Sequence, residues 1–357
     1  MPKTAGATLK DIAERAGCSI TVVSKTLNNA KGSAGASQKV QERILRIAGQ
    51  LGYRANYHAR ALQTGKTGTL GLVSSLQPGR HHHNYYWNQL IQGIDYRTRA
   101  AGHDLLIIGP TGAMNEVQRG IECLHQKRID ALIVPTAMYA YELPRLEAVD
   151  GPLVFVADPL PRTHAGVTMD LRPGVQQACK HLADLGHRKV LWCPLHSRGT
   201  ITDDERHTEM KNAAKDASLS LRLFPLDFDA IADKASIEPF VEDCRKQFAQ
   251  YFRSHSPCPA VVCYSERVAM GLYAALAGMG LRVPQDVSVV SFDDIYAHAT
   301  MPSMTVVSMS LDKIGEKAAE LAMEMVSSGR PLKSYAGRIE RVPTSLVIRQ
   351  STGAFKS

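Results

Sequence analysis

The sequence predicts a small all-helical head of the helix-turn-helix kind, joined to a larger α/β body of two lobes. Three observations predict it. The charge excess sits at one end of the chain, the first fifty residues carry three short helical patterns, and the rest alternates β-rich with helical runs. The chain has 357 residues and a net charge of +8. Residues 1–68 hold 11 basic and 3 acidic side chains, while the remaining 289 hold 31 of each. This is the asymmetry expected when a small anion-binding module is fused to a neutral globular body.

The head reads helix by helix. Leu9, Ile12, Ala13 and Ala16 fall at helical spacing, Thr8 is placed to cap them and Gly17 to end them. Ser19 caps a second helix that runs through Val23 and Leu27 to Asn28. Val40, Ile44, Ile47, Ala48 and Leu51 form the stripe of a third, from Ser37 to Gly52. The tight turn between the first two defines a helix-turn-helix unit. In such a unit the second helix enters the major groove, so Ile20, Thr21 and Lys25 face base edges while Ser19, Ser24 and Asn28 face phosphates. Composition alone fits a basic bundle that binds protein equally well.

In the body, strands are expected at 69–74, 104–109, 131–135, 153–157, 167–170, 189–193, 219–225, 260–264, 287–292 and 304–308. Helices are expected at 86–101, 114–126, 173–185, 205–217, 237–253, 266–279 and 311–327. Strict alternation calls for parallel sheets covered on both faces, and this many units calls for two of them. Ligands of such sheets bind beyond the carboxyl ends of the strands, best between two lobes. Seven scattered cysteines without a CxxC pair suggest neither a disulfide framework nor a zinc site, and point to a reducing cytosol. The N-terminus lacks the apolar core of a signal peptide, so export is not expected. The longest uncharged apolar stretch, 268–281, is too short for a membrane span.

TLKDIAERAGCSITVVSKTLNNA and VQERILRIAGQLGYRANYHARALQTGKTGTLGLV resemble the DNA-binding head and hinge of LacI/GalR-type bacterial transcription regulators. The resemblance implies a sequence-specific regulator whose DNA-contacting residues are Thr8, Ser19, Ile20, Thr21, Ser24, Lys25, Asn28, Tyr53, Asn56, Ala59, Arg60 and Leu62.

 Paired hinge segments, 56–63, would order in the minor groove of a palindrome, with Leu62 as an apolar wedge and Ala59 allowing close approach. A helix this short does not persist alone in water, so hinge order is expected to switch with DNA binding. Val22 departs from the phosphate-contacting Thr usual in the family, and the linker 30–36 is rich in Gly and Ala.

LADLGHRKVLWC, SERVAMGLYAALAGMGLRVPQDVSVVSFDD, MPSMTVVSMSLDKIGEKAAELAMEMVSSG and RVPTSLVIRQST are similar to the effector-binding core of the same family, itself similar to type I periplasmic sugar-binding proteins. The implied domains are a head at 1–55, a hinge at 56–68 and an effector-binding and dimerisation body at 69–351. Lobe 1 is expected at 69–157 plus 301–328, and lobe 2 at 158–300 plus 329–351. The resemblance places Asn84, Tyr86, Trp87, Asp158, Arg206, Ser265 and Asp293 at the effector site. Tyr86 and Trp87 fit packing at a helix start equally well. Ser265 and Glu266 replace the family's Asn-Asp pair, which removes one amide contact although Ser265 can still cap its helix. Arg80, His81, His82 and His83 are expected in a loop at the cleft mouth; a solvated loop is the plainer reading, and the sharper one is a preference for an anionic ligand such as a sugar phosphate or sugar acid.

The expected partners are a palindromic operator, a sugar or sugar derivative and a second copy of the chain, with no membrane. No cofactor or metal is implied, and the expected compartment is the cytoplasm. The rival readings are a transport-linked binding protein, an enzyme using the cleft, and a DNA-compacting protein without an effector. No nucleophile elbow, phosphate loop or metal-ligand spacing supports the enzyme. STGAFKS ends the chain without a heptad helix, so a dimer is expected rather than a tetramer.

Overall fold

The computed structural model describes residues 7–27, 37–53, 61, 65–74, 81–157, 160–197, 200–201, 204–231 and 236–355. Two compact units divide the chain, Met1–Thr67 and Gly68–Ser357.

The first unit contains α1 (Leu9–Ala16), α2 (Ile20–Leu27) and α3 (Gln38–Gln50). Their stripes meet in a small core of Ile12, Ala13, Ala16, Val23, Ile44, Ile47 and Ala48. The sequence marks both ends of α1. Thr8 forms a capping box with Asp11. At the other end Gly17 takes φ 62°, the left-handed conformation that a side chain would strain.

Among the described residues, the second unit holds two six-stranded sheets and one small sheet. The first large sheet runs β14-β5-β4-β3-β1-β2, from β1 (Thr69–Val73), β2 (Asp104–Ile108), β3 (Ala131–Pro135), β4 (Leu153–Val156), β5 (Ala165–Asp170) and β14 (Ile339–Pro343). All its pairings are parallel. The second runs β15-β13-β12-β11-β6-β9, from β6 (Lys189–Cys193), β9 (Ser220–Leu223), β11 (Ala260–Cys263), β12 (Ser288–Phe292), β13 (Thr305–Ser308) and β15 (Ser345–Val347). Only β15 is antiparallel there. The small sheet joins β7 (Leu195–Ser197), β8 (Thr200–Ile201) and β10 (Leu226–Asp227). The central strands are buried on both faces, which is why they read as unbroken apolar runs such as ALIVP and AVVC.

Seven longer helices cover the sheets: α4 (His81–Ala100), α5 (Glu116–His125), α6 (Arg172–Asp184), α7 (Asp204–Asp216), α8 (Ile237–Tyr251), α9 (Glu266–Gly278) and α10 (Leu311–Ser327). Helices α4 and α10 cross with their backbones nearly touching. A Cβ on Gly93 would lie 1.9 Å from the Asp312 carbonyl oxygen, and one on Gly315 would lie 2.3 Å from that of Leu90.

Strand pairing corrects the expected lobe limits. β5 and β14 belong to the first sheet, although 158–300 and 329–351 were expected in lobe 2. β13 belongs to the second sheet, although 301–328 was expected in lobe 1. The chain therefore changes lobes between β5 and α6, between β13 and α10, and between β14 and β15. These crossings replace the ones implied by those limits, at 157–158, 300–301 and 328–329. A strand's apolar pattern records that it is buried, not which sheet accepts it.

Thr344 fastens two of the crossings together. Its hydroxyl reaches the carbonyls of Asp170 at 2.9 Å and Leu171 at 3.2 Å, and accepts from the Gly174 amide at 3.2 Å. A Cβ on Gly174 would lie 2.6 Å from that hydroxyl oxygen. Thr344→Val, which keeps the shape and removes the hydroxyl, is expected to cost about 1–3 kcal/mol of stability in urea titration. Gly315→Ala is expected to cost about 1–3 kcal/mol or more, because backbone rather than a pliable side chain blocks the new methyl.

Candidate functional site

In the head, Ile20 (48% exposed), Thr21 and Lys25 stand on the open side of α2. Ser19 caps that helix, accepting from the Val22 amide at 3.3 Å. Thr8 is exposed and bonds Asp11 through both its amide (2.7 Å) and its hydroxyl (2.8 Å). Those bonds from Thr8 hold the Asp11 carboxyl below its usual range. Ser24 departs from the expectation of a phosphate contact: it is 8% exposed, beside Val23 on the inner side of α2. Val22 and Tyr53 pack against the head core. Asn28, Asn56, Ala59, Arg60 and Leu62 lie outside the described residues.

The second lobe brings two expected effector residues together. Arg206, on the first turn of α7, is 8% exposed. Its Nη1 donates to the Tyr264 carbonyl at 2.7 Å, and Nη2 stands 3.8 Å from Oδ1 of Asp293. Its guanidinium carbon lies 4.4 Å from the centre of the Tyr264 ring and 5.1 Å from that of Phe292. Tyr264 and Asp293 directly follow β11 and β12, so the pair sits at the carboxyl ends of the sheet. The 3.8 Å separation makes an ion pair and is longer than a hydrogen bond. Trp192 in β6 extends the aromatic floor, 5.7 Å from the Phe292 ring, and donates through Nε1 to Nδ1 of His207 at 3.2 Å.

Asp293 has φ 74°, an uncommon conformation for a residue with a side chain. The turn after it is tied on several sides. Glu266, at the start of α9 and 2% exposed, accepts from the amides of Ile295, Tyr296 and Ala297 at 2.8–3.1 Å. Arg349 donates to the Asp294 carboxylate at 2.7 Å. Gln89, on α4 of the other lobe, donates to the Asp294 carbonyl at 2.9 Å. Burial pushes the Glu266 carboxyl up to about 7, with the Asp293 charge adding to the rise and the three amides opposing it.

Ser265 caps α9 as its position suggests, accepting from the Val268 amide at 3.5 Å. Trp87 is 6% exposed and packs in the same core cluster as Trp192 and Phe292. His81, His82 and His83 open helix α4 and do not form a loop. The helix takes in Asn84 and Tyr86 as well; the side chains of residues 81–86, and all of Arg80 and Asp158, lie outside the described residues. Gln89, Arg349 and the clamp made by Glu266 were not anticipated. For Glu266 a signal existed, in its departure from the family's pair.

Residues 8–56 match the family model described as bacterial regulatory proteins, lacI family, and residues 179–352 match the periplasmic binding protein-like domain. The head belongs to the lacI family of bacterial regulatory proteins. Similar full-length relatives include the HTH-type transcriptional repressor PurR of Vibrio vulnificus, 27% identical over 97% of this chain and 98% of the relative. The ribose operon repressor of Haemophilus influenzae is 25% identical over 98% of this chain and 100% of its own. Among solved structures, a lac repressor dimer bound to operator and the anti-inducer ONPF matches with a TM-score of 0.68. It is 20% identical, over 98% of this chain and 100% of its own. The regulator CelR in complex with cellobiose matches with a TM-score of 0.63 at 22% identity, over 97% of this chain and 99% of its own.

In this lacI-type head, the first turn of α1 rests on the Thr8 capping box. Thr8→Ala is expected to lower the stability of the head by about 1 kcal/mol in thermal melts of the full chain.

Proposed function

We propose that this lacI-family protein is a homodimeric, sequence-specific transcriptional repressor whose operator affinity is set by a sugar or sugar derivative bound between the lobes. The observation that carries the reading is the pairing of Arg206 and Asp293 over an aromatic floor, at the strand ends of a body attached to a basic helix-turn-helix head. A guanidinium and a carboxylate 3.8 Å apart can each take one oxygen of a hydroxylated ligand while the rings cover its apolar face. The names and complexes of the relatives support the same reading. Three of them are named as repressors and one as a regulator in complex with cellobiose, and the proposed role of this cleft is binding rather than turnover. A protein with this role acts in the cytoplasm.

In the head, Ile20, Thr21 and Lys25 read base edges from α2. Thr8, Ser19, Asn28, Tyr53, Asn56, Ala59, Arg60 and Leu62 complete the proposed DNA-contacting set, and Ser24 supports it from inside the head. Lys25→Ala is expected to change which operator sequence is preferred. Lys39→Ala or Arg43→Ala, both on the exposed face of α3, is expected at most to weaken binding to all sequences alike. Electrophoretic mobility shifts against a randomised operator library check both.

A second copy of the chain completes the palindrome-reading unit. The edge of the first sheet suits that copy: β2 is paired on one side, its Ile107 is 41% exposed, and Tyr96 on α4 is 62% exposed. Light scattering is expected to show a dimer at micromolar concentration. Ile107→Asp combined with Tyr96→Ala is expected to shift it to monomer. Calorimetric titration with neutral and acidic sugars tests the effector class. Asp293→Asn is expected to weaken binding at least about tenfold, the loss of one charge-assisted hydrogen bond, and ligand recovered chemically altered would overturn the binding role in favour of an enzyme.

A further inference from the structure

We propose that Glu266 is a positioning residue for the effector site, clamping the turn at residues 293–297 in the one shape that presents Asp293 to the cleft. The proposal rests on the reading of Asp293 as an effector residue.

Three successive backbone amides, those of Ile295, Tyr296 and Ala297, converge on the single Glu266 carboxylate. Successive amides aimed at one anion form a preorganised cradle, and each amide would otherwise need another acceptor. The cradle begins two residues after Asp293, whose own amide donates to the Val307 carbonyl at 3.1 Å. Asp293 is therefore held from both sides in its left-handed conformation: by β13 before the turn and by Glu266 after it. The same turn offers the Asp294 carbonyl to Gln89 of the other lobe. One buried carboxylate thus fixes both the ligand-facing side chain and a contact between the lobes.

The residue type matters to this geometry. Aspartate is one methylene shorter and glutamine offers a single acceptor oxygen, so neither reproduces a carboxylate that serves three donors with two oxygens. The charged and titratable groups around the clamp are Asp293, Arg206 facing Asp293, Arg349 on Asp294, the Tyr296 phenol, and Arg267, whose guanidinium carbon lies 3.9 Å from the Phe240 ring centre. Burial raises the Glu266 carboxyl to about 7 in the closed turn. Once the turn opens and the carboxyl is solvated, it returns to the ordinary range near 4.3. The closed turn binds the proton more tightly. Its advantage is therefore complete below the solvated value and is lost as pH rises through about 7.

Amide hydrogen exchange on the full-length protein without effector tests the proposal. Glu266→Ala is expected to lower protection of the 295–297 amides at least about tenfold, with the β12 amides unchanged. Glu266→Asp should fall between the two. In the native chain, protection at 295–297, corrected for intrinsic exchange, should fall between pH 5.5 and 8, and Glu266→Gln should keep part of the protection without that fall. Unchanged protection in Glu266→Ala overturns the proposal. So does an equal loss across β12 in every variant, because the carboxylate would then hold the lobe and not the turn. If Glu266→Ala does not fold, the pH profile of Glu266→Gln decides, and a fall matching the native chain overturns the clamp. A native affinity for sugar in Asp293→Asn would instead overturn the effector reading and leave the exchange result standing.

Discussion

The body depends on how the chain passes between its two sheets, and Thr344 is where that passage is fixed. Its hydroxyl touches the backbone on both sides of the first crossing, at Asp170, Leu171 and Gly174, while its own segment forms the last crossing. Two strands of opposite fate, β14 in one sheet and β15 in the other, are separated by this single residue. The contact needs a side chain small enough to lie against backbone and polar enough to satisfy it. Threonine opposite glycine meets both conditions. The two sheets can then change their mutual inclination by small rotations at the crossings without breaking a strand.

The candidate site is divided unequally between the lobes. Arg206, Asp293, Tyr264, Phe292 and the Glu266 clamp all belong to the second lobe, whose half of the site is set by interactions within that lobe. The first lobe contributes α4, including Gln89, and α4 is locked to α10 at the Gly93 and Gly315 crossing. Such a division suits a binding protein whose ligand selects among lobe arrangements: one rigid half recognises, and the other reports the closure.

Much of this was legible in the sequence because hydrophobic period and capping are local. The run KVLWC gives the strand Lys189–Cys193, and the stripe through Ile314, Ala318 and Leu321 gives the helix Leu311–Ser327. Motif position named Arg206 and Asp293 separately, and the fold brings them to 3.8 Å of each other. What failed was non-local. The sheet to which β5, β13 and β14 belong depends on partners far along the chain. Ser24 looks like a surface hydroxyl in the sequence, and the folded head leaves it only 8% exposed. The histidines His81 to His83 carry no capping signal of their own, so a helix start there read as a loop. Glu266 could be seen as an unusual residue, but its three amide partners lie about thirty positions downstream.

The edge strand β2 has a consequence for the life of the chain before assembly. DLLII lies beside β1 and, among the described residues, pairs with no other strand, and Leu105, Leu106 and Ile107 are incompletely covered. An edge strand of this kind is a template for pairing with another extended chain, whether a folded copy or a partly folded one. Synthesis from neighbouring ribosomes on one messenger would place two such edges together early. The yield of sound protein then depends on how soon copies meet as well as on how stable each one is.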